Sequence, residues 1–499
     1  MNKMLLFQLP LHFKLLVVFS IFHIFILNKF CHSQTFELTI ESEFDIFSHD
    51  ALELANGSFL ILSQSALGDY SENNYPIIKL FHIDTAGTII NTLRIDLTEK
   101  PYKAWYMLRL IQNNENDFLI LGNVYDNYTL FYNQYIGHVS ADLDFISDTI
   151  VEVYGNYSDF AYDFLLNKDS NIIAVGRDEI TPNQRLFIKE FTQSGMLLNR
   201  KWYHTGAYAF TSVVEFPISS VYHLATLYND YEIIELDASS LEIKNRVDIA
   251  MTLQPSKMIM NPSGNKYAVA GKTSHYSRME FKIAYFLADK DLEVSNLNYY
   301  GVPDTNYFYM QNCIDFLNDT TLYLAGTHNF TQSPPFLYPE LRWIFLNKLG
   351  TDGSIIWQRF YKGDLNYMPY VVVATNDGGA LIISHQYDWN NPIPNQRDIH
   401  ILKVDSTGWY EGMPVNINDP DAPKQILVYP NPVYDHVIFE LGMYRDLNLK
   451  VYNQKGQVVF ERKLAHSQTI NLAALHSGIY FYVIESNEGF TERGKLLKR

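Results

Sequence analysis

Tyr370-Val-Val-Val-Ala374, Thr375-Asn-Asp-Gly-Gly379 and Ala380-Leu-Ile-Ile-Ser384 follow one another without a gap: an apolar strand, a tight polar turn, a second apolar strand. After a loop come Asp398-Ile-His-Ile-Leu-Lys-Val-Asp405 and the turn Ser406-Thr-Gly408. Branched and ring side chains suit a pleated, half-buried surface. Gly, Asn and Asp suit the turns between such strands, which need positive φ or side-chain bonds to nearby backbone.

Outward from this stretch, the order strand, turn, strand, loop, strand, turn, strand recurs seven times between about residues 50 and 410. Its first turns elsewhere are Ala55-Asn-Gly57, Asn113-Asn-Glu-Asn116, Asn167-Lys-Asp169, Asn261-Pro-Ser-Gly264 and Leu317-Asn-Asp319. Its second turns are Asp84-Thr-Ala-Gly87, Ala141-Asp142, Gln193-Ser-Gly195, Asp237-Ala-Ser239, Ala288-Asp-Lys290 and Thr351-Asp-Gly353. One copy departs from the pattern, with Phe216-Pro-Ile-Ser219 in place of a clean turn. Four short strands in a unit of about 50 residues are the signature of a β-propeller blade. The expected fold is therefore all-β, a seven-bladed β-propeller over residues 34–410, with a long β-sandwich or β-solenoid as the competing architecture. The run Phe345-Leu-Asn-Lys-Leu-Gly-Thr-Asp-Gly-Ser-Ile-Ile-Trp357 resembles the loose propeller repeats of secreted Bacteroidota proteins.

The repeat register sorts the loops. Turns between strands one and two, and three and four, share one end of each sheet and are short and polar. The other end carries long segments rich in rings: Tyr102-Lys-Ala-Trp-Tyr106, Tyr125-Asp-Asn-Tyr128, Tyr299-Tyr-Gly301, Tyr307-Phe-Tyr309, Ser333-Pro-Pro-Phe-Leu-Tyr-Pro339 and Tyr387-Asp-Trp-Asn-Asn-Pro392. Aromatic faces stack on sugar rings or grip peptide side chains, and long loops on a rigid scaffold commonly carry function. Trp105, Tyr106, Tyr125, Tyr300, Tyr307 and Trp389 are the candidate ligand-binding residues, for glycan or protein. The competing reading has the same rings packing loops against strands.

Composition agrees with export and with a β-rich core. Of 499 residues, 47% are hydrophobic and 19% charged, with 36 Tyr and 32 Phe. A net charge of −17 argues against nucleic acid, whose affinity comes from Lys and Arg. Lys3 and Lys14 precede an apolar run from Leu15 to Leu27, too short to span a bilayer. With Cys31-His32-Ser33 this predicts a signal peptide over 1–33, cleaved before Gln34, leaving no transmembrane segment. A retained anchor is the alternative. Cys313 is then the one remaining thiol, expected as a small buried core residue.

After Trp409 the repeat stops. Residues 411–424, Pro-, Asn- and Asp-rich, read as a linker, and lack the carboxylate ladder of a calcium loop. About seven alternating strands in residues 425–499 predict a small immunoglobulin-like β-sandwich. Val428-Tyr-Pro-Asn-Pro432, Val451-Tyr-Asn-Gln-Lys-Gly-Gln-Val458, Leu475-His-Ser-Gly-Ile-Tyr480 and a basic tail resemble the type A C-terminal sorting domain of the type IX secretion system. That resemblance implies recognition through Pro430, Asn431, Pro432, Gly456, Gly478, Tyr480 and Lys495. It also implies a partnership with the type IX machinery, passage through the periplasm, and a final place outside the cell or on its outer surface. An ordinary adhesive immunoglobulin-like module is the alternative.

No Gly-x-Ser-x-Gly elbow, His-Glu-x-x-His helix, Cys-x-x-Cys pair or phosphate-cradling loop appears. No cofactor and no metal ligand is assigned; His204, His275, His328 and His385 are singly placed. The Asp-Gly-x-x-x-Trp run is similar to turns of sialidases and quinoprotein propellers, without the arginine cluster or the repeated Trp motif those families need. Two functions compete: a binding or adhesion module, and a polysaccharide hydrolase or lyase at the channel mouth. The enzyme requires a tight cluster of displaced titratable groups at the centre.

Overall fold

The structure is a computed structural model. It describes residues 34–65, 77–97, 102–104, 109–126, 131–151, 159–178, 185–203, 209–227, 232–249, 253–274, 281–295, 297–300, 307–308, 312–329, 341–388, 397–411, 413, 426–441, 447–465, 468–485 and 491–499. The expected signal peptide, most of the linker, and Trp105, Tyr106, Trp389, His204 and His275 lie outside the described residues.

All described secondary structure is strand. Seven antiparallel sheets fill residues 36–404. Sheet 1 holds Ile46–Glu53, Phe59–Ser65, Ile77–Ile83 and Ile89–Asp96. In sheet 2, Tyr102–Ala104 and Arg109–Gln112 share the first position, before Phe118–Asp126, Tyr132–Val139 and Phe145–Val151. Sheet 3 is Asp159–Leu166, Ile172–Asp178, Arg185–Phe191 and Leu197–Tyr203. Sheet 4 is Ala209–Phe216, Val221–Leu227, Glu232–Asp237 and Ile243–Asp248. Sheet 5 is Leu253–Met260, Lys266–Ser274, Phe281–Asp289 and Asn298–Tyr300. Sheet 6 again splits its first strand, into Tyr307–Phe308 and Ile314–Asn318, before Thr321–His328, Trp343–Gly350 and Ile355–Tyr361. Sheet 7 holds Asn366–Ala374, Ala380–Tyr387 and Asp398–Val404, and takes its fourth strand from Phe36–Ile40.

That last strand comes from the other end of the chain: Phe36 faces Lys403 and Ile40 faces Ile399. The expected fourth strand after Gly408 is thus replaced by an N-terminal one. The architecture is all-β and propeller-like. Second strands are buried almost throughout, as in Phe59–Ser65 and Ala380–Tyr387, which matches sheets covered on both faces. Fourth strands are mostly exposed, as in Ile89–Asp96.

Local sequence explains the hairpins. Gly57, Gly87, Gly195, Gly264, Gly353, Gly378 and Gly408 take positive φ in the turns, a conformation glycine adopts freely. Where the turn lacks glycine, Leu143, Leu241 and Leu292 take the left-handed position, each buried. The strain of about 1–3 kcal/mol is offset by a buried side chain of similar value. The irregular Phe216-Pro-Ile-Ser219 segment still turns, with Ser220 at φ 50°.

Tyrosines fasten sheet to sheet. Tyr203, Tyr285, Tyr323 and Tyr361 donate their hydroxyls to the carbonyls of Leu241, Gly350, Gly378 and Gly408 in turns of the following sheet. Burial raises all four phenols; Tyr285 stands at about 12. Cys313 is buried, as expected, and its thiol donates to the Pro369 carbonyl at 3.4 Å.

Residues 426–499 form a three-stranded sheet (Leu427–Tyr429, His436–Glu440, Gln468–Asn471) and a four-stranded one (Val458–Leu464, Leu447–Tyr452, Gly478–Glu485, Thr491–Lys498). The two close around a separate core that includes Val437, Phe439, Ile470, Leu449, Val451 and Leu496.

Candidate functional site

The first strands of the seven sheets meet at a common centre. Counting back seven residues from the left-handed residue of the first turn gives Asp50 from Gly57, Arg109 from Asn116, Asp163 from Ser170, Lys257 from Gly264 and Val371 from Gly378. The register shifts between Ser48 and Asp50, Ala161 and Asp163, Phe210 and Ser212, Pro255 and Lys257, and Pro369 and Val371. Such bulges re-aim a side chain out of the regular ladder. Here they bring unlike residues into one charged cluster.

The cluster is wired from sheet to sheet. Asp50 Oδ2 accepts the Leu110 amide at 3.0 Å and lies 3.3 Å from Arg109 Nε. Arg109 stands 3.8 Å from Asp163 and donates Nη1 to Asn312 Oδ1 at 2.6 Å. Asn312 donates to the His49 carbonyl at 2.8 Å. Asp163 takes Lys257 Nζ at 3.0 and 3.1 Å and the Ser212 hydroxyl at 2.5 Å, and Ser212 Oγ accepts the Met258 amide. Asp315 accepts the Ala374 amide at 2.8 Å. Members come from all seven sheets.

Electrostatics follow from this wiring. Burial opposes ionisation of Asp163, yet Lys257 and Arg109 hold its carboxyl below the ordinary range. Burial lowers Lys257, and the nearby Arg109 charge adds to it. Burial works against the Arg109 charge, but Asp50, Asp163 and Asp315 outweigh it. Asp315 accepts the Ala374 and Phe316 amides, and burial pushes it up to about 7. The cluster of titratable groups that an enzyme reading requires is present. Its carboxylates, however, each accept main-chain amides.

A cavity of about 520 Å³ opens beside the cluster, at the short-turn end. Arg109, Gln112, Asn114 and Ser170 give it polar groups, and Leu52 and Phe164 apolar walls.

The opposite, loop-bearing end is lined with rings. Tyr125 lies 5.1 Å from Tyr132, Tyr132 is edge-on to Phe160 at 5.1 Å, and Phe160 meets Tyr162 at 5.0 Å. Arg177 sits over Tyr162 at 6.0 Å. Tyr125, Tyr132 and Tyr162 are half-buried. On sheet 6, Trp343 stacks on His328 at 5.0 Å with Lys362 over its ring at 4.0 Å. On sheet 7, His385 lies between Tyr370 and Phe47 and accepts the Ser48 amide through Nε2. Burial lowers His328 to about 4 and His385 well below the usual imidazole value, so both rings are neutral packing partners. Among the described residues no group of three His, Cys, Asp or Glu is placed to hold a metal ion.

Of the six ligand-binding candidates, Tyr125 belongs to this row of rings. Tyr300 does not: Asn298–Tyr300 is the fourth strand of sheet 5, and the Tyr300 ring is 1% exposed, stacked on Tyr285 with its hydroxyl on the Gly353 carbonyl. This corrects its reading as a loop residue, because the side chain is consumed between sheets. Tyr307 begins the split first strand of sheet 6 and pairs with His328. Trp105, Tyr106 and Trp389 fall outside the described residues. Tyr132, Tyr162 and Trp343 were missed, since they sit within strands rather than in the long loops; their signal was position at a loop-proximal strand end.

In the C-terminal unit the expected recognition residues hold the end of the chain. The Asn431 side chain donates to the Lys495 carbonyl at 2.7 Å and accepts the Leu497 amide at 2.9 Å. Pro430 and Pro432 flank it, both after cis peptide bonds. Gly456 takes φ 77° in its turn, and the Tyr480 hydroxyl reaches the His476 carbonyl at 2.9 Å. Gly478 opens the strand that pairs Phe481 with Lys495.

Together these features define an all-β, propeller-like protein with a separate C-terminal β unit. Residues 427–499 match the family described as the secretion system C-terminal sorting domain, that of type IX secretion, and this marks the protein as exported to the cell surface or beyond. No curated protein matches the chain. Among solved structures, it is similar to a protein of unknown function from Bacteroides caccae at 13% identity, covering 61% of this chain and 94% of that one (TM-score 0.35). It is also similar to the Cps50 (Swd1) β-propeller domain of Myceliophteria thermophila at 10% identity, covering 73% and 98% (TM-score 0.42). Raptor of Chaetomium thermophilum follows at 8% identity, covering 74% and 30% (TM-score 0.44).

Proposed function

We propose that the protein is an exported, non-catalytic binding or adhesion module. In this reading residues 1–33 are a signal peptide and residues 34–410 close as a seven-bladed β-propeller. Residues 411–424 are a linker, and 425–499 an immunoglobulin-like sandwich read by the type IX machinery after passage through the periplasm. The ligand is a glycan or a protein held at the loop end. One observation carries the reading: the row Tyr125, Tyr132, Phe160 and Tyr162, two sheets wide, its tyrosines half-buried over a buried Phe160 at the end that bears the long loops. Rings held rigidly and half-open offer stacking area at little entropic cost.

A glycan array and thermal-shift screen of the mature chain tests it. A ligand raises the melting temperature through linkage, and Tyr125→Ala with Tyr132→Ala abolishes the rise. Silence across glycans, metals and candidate proteins overturns the reading. The hydrolase or lyase reading keeps one observation of its own, Asp315 near neutrality in the charged cluster whose Arg109 also lines the cavity. Product formation lost in Asp315→Asn favours that reading.

A further inference from the structure

Six of the seven sheets repeat an apolar residue at one outer position. Two residues past the left-handed residue of the second turn stand Ile89, Phe145, Leu197, Ile243, Val294 and Ile355. In sheets 1, 2, 3 and 5 these side chains are 38–40% exposed. Ile90, Ile146 and Leu198 extend the stripe and are more exposed still. Edge strands usually blunt such positions with charge, so a retained apolar rim marks contact.

Sheet 6 shows what covers one copy. Ile355 packs against the core of its own neighbourhood and also against the core of residues 426–499. Among the described half-buried side chains packed on that second core, the others all belong to residues 428–475. We infer that the rim of sheet 6 is the docking seat of the chain's own sorting domain, with Ile355 as its anchor. The sorting domain is then presented on its cargo as a docked body. The inference depends on the sorting domain, and stands whether or not the loop end binds a ligand.

The five other sheets that carry the position supply internal controls. In the mature chain carrying Ile355→Asp, the sorting domain swings free: the radius of gyration by X-ray scattering rises, and protease cleavage within 411–424 speeds up about ten-fold, the value of one buried aliphatic side chain. Leu197→Asp, at the same register on sheet 3, leaves both unchanged, and Ile355→Val retains docking. Melting of the propeller-like part confirms that each variant is folded; Ile355→Ser substitutes if the aspartate variant is not. Wild-type values in Ile355→Asp overturn the inference. Equal responses from both aspartate variants also overturn it, as would wild-type values that change with protein concentration, which would seat a second copy's domain there.

Discussion

The centre of the seven sheets and the loop end of their strands solve opposite problems with opposite chemistry. The centre gathers Asp50, Arg109, Asp163, Lys257 and Asp315 out of water and satisfies them with one another and with main-chain amides. The loop end gathers Tyr125, Tyr132, Tyr162 and Trp343, leaves them half-open, and asks little of them structurally. Charge buried without a partner is costly, whereas a half-open ring loses only part of its packing when removed. A residue's exposure to loss thus runs opposite to its exposure to solvent. Loss of a partner is costly at the polar centre; in the proposed reading, recognition falls to the aromatic end.

The largest test of that contrast is Asp163→Ala. It strands Lys257 in the interior, leaves Arg109 with Asp50 and Asn312 alone, and is expected to cost about 3–5 kcal/mol in denaturant unfolding. Lys257→Met should cost less, because Asp163 keeps Arg109 and the Ser212 hydroxyl. A smaller loss for the aspartate than for the lysine would break the account of the centre.

Acid–base behaviour gives the next effect. Asp315 binds its proton more tightly folded than unfolded, at about 7 against 3.8. Its contribution is therefore complete below about pH 4 and is lost as pH rises through neutrality. Asp315→Asn should flatten the fall in melting temperature between pH 5 and 8 relative to wild type, read by calorimetry. An unchanged slope would remove Asp315 from the buried centre.

At the loop end, Tyr125→Ala and Tyr132→Ala should each destabilise by only about 1 kcal/mol while removing ligand binding. A loss as large as that at the centre would erase the distinction. Smallest is Leu292→Gly, where relief of the left-handed backbone and loss of a buried side chain nearly cancel; thermal unfolding should move by about 1 kcal/mol or less.

Much of this was legible in sequence because strands and turns are local. Thr375-Asn-Asp-Gly-Gly379 specifies its hairpin by composition alone, and the sorting domain carries contiguous motifs such as Val428-Tyr-Pro-Asn-Pro432. The charged centre was not legible. Its equivalent positions hold two aspartates, an arginine, a lysine and a valine (Asp50, Asp163, Arg109, Lys257 and Val371), and only the seven-residue spacing to the turn unites them. Tyr300 misled for a related reason. In a chain with 36 Tyr, the same ring serves ligand faces and inter-sheet fasteners, and sequence does not show which carbonyl, here that of Gly353, its hydroxyl will find.

The strand Phe36–Ile40 has a temporal meaning. It is the first strand among the described residues, and its partner Asp398–Val404 follows about 360 residues later. Sheet 7 cannot close until nearly all of residues 36–404 are present. Contacts at such separation are slow to form. The topology itself makes the last sheet a latch, complete only when both ends of residues 36–404 are in place. Trimming residues 34–40 would leave the last sheet with an unpaired edge on Asp398–Val404 and the latch without its bolt.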